Sequence, residues 1–191
     1  MSLTPDQASD SLKEIERTGR RSAQALQYAN ASPGFILWGV IWMIGYAGSD
    51  LLPPYLGWRS VNWLWFGLTI IGVSLGFAIG RRQRRAALMT GPSASLRWGA
   101  TFLALWAFVM ATFAVLRPVN PIATGAFIPL VIATIYAVFG IWGGLRFLYA
   151  GIAVATLTLA GYFWLPQHFL LWMAVVGGGS LVLVGLWLRK I

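Results

Sequence analysis

Cysteine is absent from this chain, which excludes disulfides, iron–sulfur clusters and thiolate metal sites. Acids are almost as scarce: 5 of 191 residues are Asp or Glu, and none follows Asp50. His168 is the only histidine. General acid–base chemistry and metal binding depend on these side chains, so little is left for catalysis. Proton-coupled carriers usually need intramembrane acids or histidines, and their scarcity argues against a pump. Charge of either sign is thin, at 10% of residues. Soluble domains carry about 25%. A soluble globule of this size could not cover its surface with so few charges.

What is present is grease. Apolar residues make up 58% of the chain and mean hydropathy is +0.71. The net charge of +9 is therefore not that of a nucleic-acid binder, whose basic residues sit on an otherwise polar domain. A helix needs roughly 20 apolar residues to cross the hydrocarbon core. Six stretches qualify: about Gly34–Leu51, Val61–Gly80, Leu96–Leu116, Pro121–Gly144, Phe147–Leu165 and Phe169–Leu188. Their continuous apolar runs, without strand-like alternation, exclude a barrel. The sequence thus predicts an all-α integral membrane protein, a six-helix bundle preceded by a short cytoplasmic helix. Residues 1–31 form that amphipathic helix and residues 32–191 the transmembrane domain.

The ends of the spans carry their own signals. Ser32-Pro33 and Asn120-Pro121 each place an N-cap before a proline suited to a first helical turn. Thr4-Pro5-Asp6-Gln7 reads as a capping box for the N-terminal helix. Pro129 falls inside the fourth span, where a kink is expected. Asp50 and Arg59 flank the first outer turn and are placed to pair. No signal peptide is visible, so the first span is expected to act as an uncleaved insertion signal.

Twelve of the 14 basic residues fall on one predicted side of the bilayer, and only Arg59 and Arg117 on the other. The positive-inside rule then places both termini in the cytoplasm, with the chain in a plasma membrane of the bacterial inner type. Arg81, Arg82, Arg84, Arg85 and Arg97 form an inner collar suited to anionic lipid headgroups. Tryptophans divide similarly. Trp58, Trp63, Trp65 and Trp164 fall near the outer interface, and Trp38, Trp98, Trp142 and Trp187 near the inner one. Trp42, Trp106 and Trp172 lie deeper and read as packing residues.

Gly72, Gly76 and Gly80 recur every fourth residue along the second span, and Gly140 with Gly144 repeats the spacing in the fourth. Small residues so spaced let helices approach closely where lipid offers no hydrophobic drive. The Gly177-Gly178-Gly179 run should weaken the sixth helix locally, marking a bend or a close contact. Gly72-Val-Ser74-Leu-Gly76 matches a hydrolase elbow pattern, but it lies in mid-helix without an acid and at a different depth from His168.

These features predict a non-enzymatic membrane protein that acts by interaction, as an accessory, scaffold or regulatory subunit. The expected partners are the bilayer, its anionic headgroups, and another membrane or cytoplasmic protein or a second copy of the chain. No nucleic acid, cofactor or metal is expected. The alternative is a small transporter or channel for a neutral, lipophilic or anionic solute, with Arg59, Arg117 and Thr134 along its path.

Overall fold

A single helix of 47 residues, α1 (Pro5–Leu51), organises the bundle in the computed structural model. The structure describes residues 5–86, 103–105, 107–115 and 120–190. After α1 come the short α2 (Pro53–Leu56), α3 (Trp58–Ala86) and an apolar helical piece α4 (Leu103–Val115). The chain continues with α5 (Pro121–Gly143) and α6 (Leu145–Trp164). A 3-10 turn (Pro166–His168), α7 (Phe169–Trp172), a π-helical segment (Met173–Gly178) and α8 (Gly179–Arg189) complete it as one nearly continuous rod. Among the described residues every regular element is helical. Five helices are long and apolar enough to cross a membrane: Ser9–Leu51 within α1, Trp58–Gln83, Ile122–Trp142, Leu145–Trp164 and Pro166–Arg189. They are those of a multi-pass membrane bundle. The third expected span, Leu96–Leu116, lies largely outside the described residues; its α4 portion touches α5 through Phe113 and Phe127, whose rings are 5.5 Å apart.

Two expected boundaries differ from the observed ones. Helix α1 runs through Ser32-Pro33 without a break, so the N-terminal segment and the first span share one axis. Proline at this point forfeits one backbone hydrogen bond, a loss that neighbouring helices and hydroxyls can compensate within a bundle. Ser32 acts across the bundle instead of as a cap: its buried hydroxyl donates to the Gly185 carbonyl at 2.7 Å. Helix α3 likewise continues past Gly80 to Ala86, because arginine is a good helix former and its charge does not end a helix. The Asn120 cap is observed. Its side-chain oxygen accepts from the Ile122 N–H at 2.8 Å, and Pro121 opens α5. Helix α5 also passes through Pro129, which is fully buried.

Packing follows the small residues. Helix α1 lies antiparallel to the π segment and α8, where Gly39 and Gly178 meet backbone to backbone: a side chain on either would sit 2.8 Å from the other's carbonyl oxygen. Gly185 continues the seam, within 3.0 Å of the Ser32 carbonyl oxygen by the same measure. The π turn falls where glycine is densest and helix propensity lowest, and the wholly buried Met173 folds against Gly177 within it. Helices α5 and α6 form an antiparallel hairpin turned by Gly144 at φ +132°, with Gly140 against the Leu148 backbone and Gly151 against Ala133 and Ala137. Among the described residues helix α3 packs mainly on α1, and Ile70, Leu75 and Phe77 on it are exposed.

Ser32→Ala is expected to remove one interhelical hydrogen bond without changing the fold. Thermal unfolding in detergent should register a loss of about 1 kcal/mol.

Candidate functional site

Three regions gather polar or aromatic side chains, and each is built by helical spacing. The first is the exposed half of α1. Residues 9–19 and 21–24 face solvent on all sides, and Leu12, Ile15 and Leu26 are 67%, 68% and 59% exposed. Lys13 and Asp10 pair at 3.4 Å one turn apart, a surface contact of small energy. This segment ends where Tyr28 becomes buried in the bundle.

The second region holds the arm's base. Tyr28 stacks near Phe147, with centroids 5.1 Å apart, and its hydroxyl accepts from Gln24 at 3.1 Å. Gly144 lies so close to Tyr28 and Gln24 that no side chain fits there. The Arg146 guanidinium lies 5.3 Å from the Tyr28 ring centre and 4.8 Å from that of Trp187, and donates to the Trp187 carbonyl at 3.2 Å. One cation thus reinforces a carbonyl in the last turn of α8, which also accepts from the Lys190 N–H at 3.2 Å, and clamps α1, α6 and α8 together. Arg146→Met keeps the stem and loses the planar cation. It is expected to cost about 1–2 kcal/mol in a detergent melt, with Arg146→Lys recovering only part.

The third region is a cavity of about 440 Å³ at the end of α1 remote from the arm. Trp42, Tyr46 and Ser49 reach it from one face of α1, and Trp58, Asn62 and Trp65 from the first turns of α3, both sets at steps of four and three residues. Thr124 and Gly125 close it from the start of α5. The rings of Trp42 and Trp65 stand edge-on to Tyr46, with centroids 6.0 and 5.2 Å away. The Tyr46 hydroxyl donates to the Gly125 carbonyl at 2.6 Å, and the Trp65 N–H donates to Ser49 at 2.9 Å. These two bonds tie α5 and α3 to α1 around the cavity. Gly45 makes the second possible, since Trp65 lies directly over its backbone. Among the described residues no lining side chain is charged.

The residues singled out from sequence are placed as follows. Gly72 lies under Ile41 and Trp38 of α1, whereas among the described residues Gly76 and Gly80 have nothing within 4 Å of where a side chain would begin. Gly140 and Gly144 stand at the α5–α6 turn as described. Arg81 and Arg82 are exposed on the last turns of α3, with the Arg81 guanidinium 5.0 Å from the Phe77 ring centre. The backbone of Arg84 and Arg85 continues that helix, while Arg97 and Arg117 lie outside the described residues. Beside this collar Gln83 donates to the Asn30 carbonyl at 2.8 Å, tying α3 to α1. Thr134 is exposed and returns its hydroxyl to the Leu130 carbonyl at 2.9 Å. Arg59 is exposed at the start of α3. Thr134 and Arg59 therefore share no common lining. Among the described residues no ion pair joins Asp50 to Arg59, in contrast to the expected pairing. Ser74 is exposed in mid-α3 and His168 sits on the 3-10 turn.

The cavity aromatics were visible in sequence only as belt and packing tryptophans. A Trp-x3-Tyr-x2-Ser run in α1 facing a Trp-x3-Asn-x2-Trp run in α3 is the signal that distinguishes them. In comparison with known proteins, no family model matches the chain, and neither a curated protein nor a solved structure matches it.

Proposed function

We propose that this protein is a non-enzymatic, multi-pass inner-membrane protein that works by interaction, with six spans, both termini in the cytoplasm and α1 as its docking arm. The observation that carries the reading is the length of α1. Its 47 residues extend about 70 Å at 1.5 Å per residue, well over twice what a bilayer core requires. The surplus leaves the membrane as a rigid helix with apolar side chains that nothing in the described chain covers. Leu12, Ile15, Gly19, Ser22 and Leu26 follow one another at alternating steps of three and four, the spacing of a seam between two packed helices. A membrane-surface helix would carry a broader apolar face. The twelve-to-two distribution of basic residues supports the cytoplasmic placement of the arm, and the Arg81–Arg85 turn supports contact with anionic headgroups.

The test is site-specific photocrosslinking in native membranes from positions 12, 15 and 26, followed by mass measurement of the adducts. Discrete adducts, either with one protein or with a second copy, are the expected result. Crosslinks to lipid alone from all three positions would sink the proposal.

A further inference from the structure

The cavity at the far end of α1 is chemically selective. Its walls are Trp42, Tyr46, Trp58 and Trp65, and its volume of about 440 Å³ lies within the range of sites that enclose small ligands. The hydrogen-bonding inventory is lopsided. Tyr46, Trp65, Ser49 and Thr124 spend their donors on Gly125, Ser49, Gly45 and Asn120 respectively. Trp42 is only 3% exposed, lines the cavity, and makes no hydrogen bond among the described residues. The Asn62 amide is likewise uncommitted. What remains on offer among the described residues is the indole N–H of Trp42 and of Trp58 and the Asn62 amide, which adds an NH₂ donor and one carbonyl acceptor; donors outnumber acceptors, against apolar and aromatic walls without charge. Helices α3 and α5 begin at this end and α1 stops here, so two positive dipole ends and one negative end border the cavity. An ammonium or a carboxylate would enter without a counter-charge, at a high desolvation cost.

We infer that this cavity binds a neutral lipophile through carbonyl oxygens, with Asn62 and Trp42 donating to them and the Trp58 and Trp65 rings flanking the apolar body. Two sources supply that chemistry: a flat ring bearing ring carbonyls, of the benzoquinone class, and the ester carbonyls of a glycerolipid. Flat rings gain additional stacking on indole faces.

The full chain, purified in detergent, is titrated with a tritiated short-chain benzoquinone and, separately, with tritiated dioctanoylglycerol. Saturable binding of either at one site per chain, weakened about tenfold by Asn62→Leu, is the expected result. The probe that binds identifies the source. Trp42→Phe keeps the ring and removes the N–H, and should weaken binding similarly; Asn62, being exposed, tests the same point where folding is not at stake. The inference is overturned if neither probe saturates, or if both variants bind as tightly as the parent. It is equally overturned if an alkyltrimethylammonium amphiphile competes more strongly than either carbonyl probe, since the rings would then be acting as a cation cage.

Discussion

Gly178→Ala is expected to lower the thermal midpoint in detergent by about 10 °C, while Gly76→Ala leaves it unchanged. Both glycines lie in apolar helices and both belong to small-residue runs, so sequence alone does not separate them. The structure does. A methyl on Gly178 would stand 2.5 Å from Met43 Cγ, 2.9 Å from the Met43 nitrogen and 2.8 Å from the Gly39 carbonyl oxygen. Met43 can swing aside; the two backbone atoms cannot, short of parting α1 from the π segment. Overfilling of this kind costs about 3 kcal/mol, near the top of the usual range. The same seam buries Ser32 and its bond to Gly185, so separation would strand a polar group as well. At Gly76 no described residue stands within 4 Å of the added methyl. Equal melting of both variants would mean that α1 and the C-terminal rod are not held by the glycine contact.

A second large effect concerns the arm. The double variant Leu12→Glu with Ile15→Glu is expected to reduce recovery of the arm's crosslinked partner more than tenfold, with the melting midpoint of the bundle unmoved. Each side chain is about two-thirds exposed, so neither contributes to the core of the described chain. Charges at the centre of an apolar helix seam, however, must be desolvated on docking, and a buried unpaired carboxylate costs several kcal/mol. The two substitutions retain helix propensity, since glutamate is among the better helix formers. Undiminished crosslinking by this variant would remove Leu12 and Ile15 from the interface. A fall in melting point would instead show that the arm folds back on its own bundle.

Five of the expected spans were legible because hydropathy is a local property, and the Asn120-Pro121 start of α5 was legible because a cap is made by residues two apart. The Ser32-Pro33 pair carries the same local signal and has a different outcome. In a bundle, Pro33 is tolerated inside a helix, and the Ser32 hydroxyl finds a carbonyl 153 residues away instead of its own helix start. Gly39 and Gly178 illustrate the same limit: neither belongs to a regular glycine stripe with the other, and only the antiparallel pairing of α1 with the C-terminal rod brings them together. Span two was expected to end at Gly80 because the arginines begin there, but polarity ends a membrane crossing without ending a helix. The cavity was obscured for a further reason. Tryptophan serves both interface depth and ligand walls, and a count of tryptophans does not distinguish the two.

Pro33 is the mechanically weakest point of α1, and the bundle splints it from both sides. Toward the arm, Tyr28 is held between Phe147 and Arg146; at the proline itself, Ser32 is bound to Gly185; beyond it, Phe35 stacks on Tyr136 at 4.5 Å. A cantilever clamped across its soft joint does not bend there. Torque applied to the free helix is therefore received by the clamp, at the α5–α6 turn and the last turn of α8, where Gly144, Arg146 and Trp187 meet. The tip can be pulled by whatever holds it while the joint keeps its angle, and the strain is delivered to the ends of three other helices.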